Sequence, residues 1–252
     1  MAVYEALIAA REKKGGAFLL LLDPDRSHTG HMLRLAEAAA ESEVDAILVG
    51  SSFMLRTDFN RIAREIKEHA TVPIIIFPGA HSQISPYADA VLFTSLISGR
   101  NPHFLIEEQV RGAPLIKEFG LEPIPTGYML IDSGTYTSVQ YISNTMPIPS
   151  DKTDIACAHA LAAQYMGMKM IFMEAGSGAG NSVPESMIKA IAGYTELPLI
   201  VGGGIEKPDM IESKIAAGAS FVVVGSRLEN DENLDLLKEF ASAAHPLEHV
   251  SL

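Results

Sequence analysis

The chain contains one cysteine, Cys157, in 252 residues; this rules out an internal disulfide and fits a reducing cytoplasm. No run approaches the roughly 18 consecutive apolar residues that a transmembrane helix needs. The start, MAVYEALIAAREKK, lacks the basic leader and apolar stretch of a signal peptide and predicts a short amphipathic helix. Positive charge is scarce, with 19 Lys and Arg against 31 Asp and Glu, a net charge of −12. That excludes whole-surface attraction to nucleic acid and a broadly basic membrane-binding face. An anion must then be held locally, by a metal, a few basic residues or helix N-termini. No linker, charge block or low-complexity segment divides the chain, so residues 1–252 are expected to form a single domain. No His/Cys cluster has zinc spacing; His28 and His31 lie close together without partners and are read as surface residues. Cys157, inside IACAHALAAQYM, reads as small core filler.

What the chain does have is apolar residues, 48% of the total, enough for a sizeable core. They gather into eight continuous runs: AFLLLLD (17–23), DAILVGS (45–51), VPIIIFP (72–78), AVLFTSL (90–96), EPIPTGYMLI (122–131), KMIFMEA (169–175), LPLIVGG (197–203) and SFVVVGS (220–226). Runs without alternation are the signature of parallel strands covered on both faces. Helical patterns separate them, the last being NDENLDLLKEFASAA at 230–244. Pro114 is expected to break or bend the helix after the fourth run. Ser182 and Glu185 make a capping-box pattern with Pro184 in the first turn; Pro208 opens the next helix and Gly218 closes it. Eight strands alternating with helices predict a closed (β/α)8 TIM barrel with a short N-terminal helix, the alternative being an open doubly wound sheet. The segment 132–151, DSGTYTSVQYISNTMPIPSD, is long for a βα loop and reads as a lid or binding loop.

Active sites of such barrels lie at the C-terminal strand ends, with phosphate commonly on the last loops. Three successive strand ends are glycine-rich: Glu174-Ala-Gly-Ser-Gly-Ala-Gly180, Gly202-Gly203-Gly204 and Gly225-Ser226. One such end is adequately explained as a tight turn. Three in succession favour a seat where backbone amides approach phosphate. At the first strand's end, Asp23 in LLDPDR is an oxygen ligand for a hard cation, with hydroxyls in Gly50-Ser51-Ser52 on the neighbouring strand. Asp23 could equally cap a helix or pair with Arg26; spacing alone leaves both open.

LLDPDR (21–26), VGSS (49–52), SNTMPIPSDKTDIACAHALAAQYMG (143–167), MEAGSGAG (173–180), IVGGGI (200–205) and VVGSR (223–227) together resemble the geranylgeranylglyceryl phosphate synthase family. The resemblance runs along nearly the whole chain, and the NTMPIP stretch is similar to the family's larger second group. Bacterial heptaprenylglyceryl phosphate synthases are relatives within it. The resemblance implies a TIM-barrel prenyltransferase that moves a geranylgeranyl group from geranylgeranyl diphosphate to the sn-3 hydroxyl of sn-glycerol 1-phosphate, the first ether bond of archaeal-type membrane lipids. It implies Mg²⁺ as cofactor, held by Asp23 and Ser52, and a homo-oligomer, dimer or hexamer. Glu174 is implied as the base. Phe172, Met173, Ala175, Gly176, Ser177 and Gly178 are implied to line the glycerol phosphate, with Gly203, Gly204, Gly225 and Ser226 binding its phosphate. One departure stands out: many members have Tyr-Leu-Glu where this chain has Phe172-Met173-Glu174. Any hydrogen bond that the phenol gave the glycerol must be absent or replaced, with Tyr128 and Tyr136 as candidates. The prenyl groove is expected near Phe93, Phe104 and the long fifth loop. Trp is absent, so no indole can act as a chain-length stop.

Two other readings compete. One is a different phosphate-binding barrel, a sugar-phosphate isomerase or an indole- or thiamine-type synthase, needing a further acid or base for which Asp132 is the candidate. The other is a non-catalytic scaffold that binds a phosphorylated ligand.

Overall fold

The computed structural model describes residues 1–55, 58–229 and 234–249. Helix α1 (Val3–Lys14) leads into β1 (Ala17–Leu22), α2 (Thr29–Ala38), β2 (Ala46–Val49), α3 (Phe59–His69) and β3 (Ile74–Ile76). Next come β4 (Ala90–Leu96), α4 (Glu108–Phe119), β5 (Glu122–Leu130), α5 (Ser138–Ser143), α6 (Thr153–Tyr165), β6 (Met170–Glu174) and α7 (Glu185–Ala192). The chain continues with β7 (Leu199–Gly202), α8 (Pro208–Ala217), β8 (Phe221–Val224), α9 (Ser226–Glu229) and α10 (Asp235–Ala243). The strands pair in chain order and β8 returns to β1, closing a parallel barrel. The open-sheet alternative is thereby excluded.

The continuous apolar runs have a direct physical cause. In β1, Ala17 and Leu19 point into the barrel, while Phe18, Leu20 and Leu22 pack against the surrounding helices. Both faces are dry, so alternation between apolar and polar disappears. The same parity puts Phe172 of β6 inside and Met173 outside. The first helix closes the N-terminal end of the barrel: its one fully buried residue, Leu7, joins the interior cluster, with Val3, Tyr4 and Ile8 beside it. The Glu122 carboxylate, at the start of β5, accepts bonds from the Val3 and Tyr4 amides at 2.5 and 3.3 Å. It thus supplies from a distant element the N-cap that Ala2 cannot.

Four local expectations are corrected. Pro114 does not break its helix: α4 runs through it, and the irregularity lies earlier, in a π-helical turn at His103–Glu107. Pro114 is exposed and so is Val110, whose carbonyl loses its partner, so water can satisfy it. The capping box at Ser182 and Glu185 does not form; Pro184 is the N-cap and Glu185 the first helical residue. Glu185 is instead drawn to the buried Lys214 ammonium at 2.5 Å, which also donates to the Val183 carbonyl at 2.6 Å. His31 is buried rather than on the surface, its Nε2 2.9 Å from the Leu228 carbonyl oxygen. The pattern after the third run forms only a 3-10 turn, His81–Gln83. Pro208 and Gly218 do bound α8, Gly218 at φ 113°. Cys157 sits half-buried against the outer core. The expected start of the last helix, at 230–233, lies outside the described residues.

Candidate active site

At the C-terminal end of the barrel the strand ends surround a cavity with about 1470 Å³ of empty space, its open mouth included. Asp23, Ser52, Glu174, Gly176, Ser177, Gly178, Gly203, Gly204, Gly225 and Ser226 all line it. Residues far apart in sequence thus share one chamber because parallel strands all end on the same side. The opposite wall is apolar and includes Phe77, Val91, Phe93, Phe104 and Ile116. Phe93 and Phe104 are where the groove was expected. The long fifth loop folds into α5 and adds Val139 and Ile142 to the wall.

Glu174 is the last residue of β6, and strand parity turns its side chain inward above Phe172. Its Oε1 accepts the Gly176 amide at 2.6 Å. The carboxylate is buried, and burial lifts its pKa to about 7 against the pull of that amide. Such a group is poised to exchange a proton near neutrality. The carboxylate lies so close to the β7 loop that a Cβ on Gly203 would stand 2.4 Å from Oε1. Gly203 also has φ 86°, a left-handed conformation costing a side-chain-bearing residue roughly 1–2 kcal/mol. Gly203→Ala is therefore expected to lower the Tm and to displace the Glu174 carboxylate, reducing kcat even where the barrel survives. Thermal unfolding together with steady-state kinetics checks both effects; an unchanged kcat rejects the second.

Asp23 follows β1. Its Oδ1 accepts the Asp25 amide at 2.9 Å, and its Oδ2 lies 3.6 Å from Arg26 Nε. The pairing with Arg26 is thus real, yet the carboxylate still faces the cavity. Burial raises its pKa, while the Asp25 amide, the Ser51 hydroxyl and Arg26 pull it down. Two site residues escaped the sequence reading. Glu229, in α9, accepts the Asp23 amide at 2.7 Å, and burial lifts its carboxyl to about 7, with the Asp23 charge adding to the rise. Arg26 reaches across the mouth to Ser177 Oγ at 2.6 Å and to Ser138 Oγ at 3.1 Å, joining the β1, β6 and fifth loops. Ser177 and Ser226 hydroxyls are 2.8 Å apart. The signal for Glu229 was its place one helical turn beyond Gly225-Ser226; for Arg26 it was a lone cation in an acidic strand end.

Three expected lining residues do not reach the cavity. Met173 and Ala175 face the helices by strand parity, and the Ala175 amide is spent on the Gly202 carbonyl at 3.0 Å. Phe172 is fully buried one layer below Glu174, stacked on Phe77 at 4.8 Å and edge-on to Tyr128 at 5.6 Å. Of the two candidates for the missing phenol, Tyr136 is 86% exposed and turned to solvent. Tyr128 is on the cavity wall, where burial and the Glu174 charge push its pKa well up. Asp132, the extra acid or base of the rival reading, is exposed and outside the cavity wall, its Oδ1 accepting the Gly134 amide at 3.0 Å.

The sequence matches the PcrB family over residues 8–244. A geranylgeranylglyceryl phosphate synthase from Chitinophaga pinensis is 43% identical over 243 residues, covering 96% of each chain. The synthase of the same name from Pyrococcus abyssi is 40% identical over 220 residues, 87% of this chain and 86% of that one. Among solved structures, the (S)-3-O-geranylgeranylglyceryl phosphate synthase from Thermoplasma acidophilum, in complex with sn-glycerol-1-phosphate, superposes with a TM-score of 0.92 at 31% identity, covering 98% of this chain and 100% of that one. Strand order, cavity and sequence therefore agree, and the chain belongs to the PcrB family.

Proposed function

We propose that this chain transfers a geranylgeranyl group from its diphosphate to the sn-3 hydroxyl of sn-glycerol 1-phosphate. The observation that carries the reading is one chamber with two unlike halves. Glu174 and the glycine-rich ends of β6, β7 and β8 form a polar half, and the aromatic and aliphatic wall toward α4 forms the other. A small polar phosphate in the first half and a long hydrocarbon along the second would lie side by side.

In this reading the loops at Gly176 to Gly178, Gly203, Gly204, Gly225 and Ser226 hold the glycerol phosphate, with the Arg26 guanidinium adding positive charge at the mouth. The sn-3 hydroxyl then lies beside Glu174. Its oxygen bonds to the allylic carbon as the bond from that carbon to the diphosphate oxygen breaks. The hydroxyl proton passes to Glu174, and diphosphate departs with the electron pair. A base near pKa 7 suits this step, because it is both substantially ionised and able to accept a proton at neutral pH. Holding both reactants in one cavity contributes up to about 7–11 kcal/mol at the ideal limit. The apolar wall keeps water from the developing allylic cation.

The residues around Asp23 suit Mg²⁺: a carboxylate turned into the cavity, the Ser51 and Ser52 hydroxyls beside it and the second carboxyl of Glu229 are all oxygen donors. Asp23 and Ser52 would hold the ion, which as a Lewis acid would neutralise the leaving diphosphate. Among the described residues no helix is long and apolar enough to cross a membrane. The same reading carries a cytoplasmic location, in keeping with the single cysteine, and a homo-oligomer, dimer or hexamer, for which the exposed Ile106, just before α4, and Val110, within it, offer apolar surface.

Purified chain incubated with radiolabelled prenyl diphosphates of several lengths and either glycerol phosphate enantiomer tests the reading. The expected result is a labelled ether from sn-glycerol 1-phosphate, strongest with geranylgeranyl diphosphate and dependent on Mg²⁺. Absence of product at every chain length rejects it.

A further inference from the structure

On the face opposite the active cavity, three residues from two distant stretches meet. Glu43 lies in the turn before β2, while His245 and Glu248 follow α10. One ligand atom from each lies within 4.8 Å of the others. His245 is fully buried, and its Nε2 is 2.8 Å from Asp45 Oδ2. Asp45 is itself fixed by Lys14 Nζ and the Phe18 amide, each at 2.8 Å. A carboxylate acceptor at Nε2 selects the tautomer with its proton there. That leaves the Nδ1 lone pair on the side of Glu248, with Glu43 in the same cluster. Buried Nδ1 has no hydrogen-bond partner among the described residues. Its distance to Glu248 Oε2, 3.7 Å, is too long for a hydrogen bond. It is close to the ~3.4 Å that separates two ligands bound about 2.1 Å from a tetrahedral ion.

We propose that His245 Nδ1, Glu43 and Glu248 form a divalent transition-metal site of zinc-like preference on the N-terminal face of the barrel. An imidazole with two carboxylates suits Zn²⁺ or Co²⁺ better than Mg²⁺, which favours oxygen alone. The Asp45–His245 pair is the outer support that metal-bound histidines usually have. The exposed glutamates close on the ion by side-chain rotation, and water completes the shell. Bound metal fastens the C-terminal turn to the entry of β2, beside the start of β1 where Asp45 holds Phe18. The site is remote from Asp23 and Glu174, so its effect is on stability. Sequence spacing gave no warning of it because Glu43 and His245 are about two hundred residues apart.

The test uses the full chain, stripped by a chelator and titrated with Co²⁺ or Zn²⁺ in excess Mg²⁺. Wild type and Asp23→Asn are expected to bind one equivalent, with visible Co²⁺ bands and a Zn²⁺-dependent rise in Tm. Glu43→Gln and Glu248→Gln, both at exposed positions that keep the fold, should each weaken binding about tenfold or more. Both should retain wild-type prenyl transfer with Mg²⁺. No stoichiometric Co²⁺ or Zn²⁺ binding, or binding indifferent to both substitutions, overturns the proposal.

Discussion

Glu174→Gln is expected to lower turnover by about 10²–10⁴-fold while the barrel stays folded. The amide keeps the size of the side chain and its acceptor for the Gly176 N–H, but it cannot take the hydroxyl proton. The wild-type kcat/KM should rise with pH through about 7, where the buried carboxyl ionises, and that limb should vanish in the variant. Steady-state rates across pH check both points; near-wild-type turnover removes Glu174 from the base role.

The same substitution should stabilise the protein at high pH. An unfolded Glu174 would titrate near 4.5, whereas burial holds the folded group near 7. The folded state therefore binds the proton more tightly. Its contribution is fully present below about pH 4.5 and is lost as pH rises through about 7, an effect of about 3 kcal/mol. Glutamine has no such loss, so the variant should unfold at higher temperature than wild type above pH 7. Glu229, lifted the same way, gives both proteins a common slope in the same direction. A variant that is both slower and more stable would show that the buried charge is retained for chemistry.

Asp23→Asn is the second large effect. Losing the carboxylate should raise the Mg²⁺ concentration needed for half-maximal activity. It should also reduce turnover about a hundredfold, the equivalent of roughly 3 kcal/mol of lost charge stabilisation. The Arg26 guanidinium, released from its partner 3.6 Å away, would still reach Ser177 and Ser138. Binding of sn-glycerol 1-phosphate should therefore persist when measured by calorimetry without a prenyl donor. An unchanged Mg²⁺ titration removes Asp23 as the ligand; simultaneous loss of glycerol phosphate binding points to a collapsed mouth instead.

Much of this was legible in the chain. Each of the eight strands lies inside its apolar run, because burial on both faces leaves a mark that needs no partner to be read. Glu174 and Asp23 could be placed at strand ends from their position alone. The reading failed where a second element decides. Met173 and Phe172 are neighbours in sequence, but pleat parity sends one to the helices and the other beneath the cavity. The Ser182 capping box looked complete, yet buried Lys214 claims Glu185 from across the fold. Tyr136 and Tyr128 were equal candidates until one proved exposed and the other walled in.

The sequence by itself determined eight buried parallel strands alternating with helices and the glycine-rich ends of the last three, since these follow from local periodicity and backbone freedom. Only the tertiary structure decided that Glu229 joins Asp23, that Arg26 bridges three loops and that Glu43, His245 and Glu248 converge. Those meetings depend on ring closure. It brings β8 beside β1 and the C-terminal turn beside the entry of β2, and no window of sequence spans either distance.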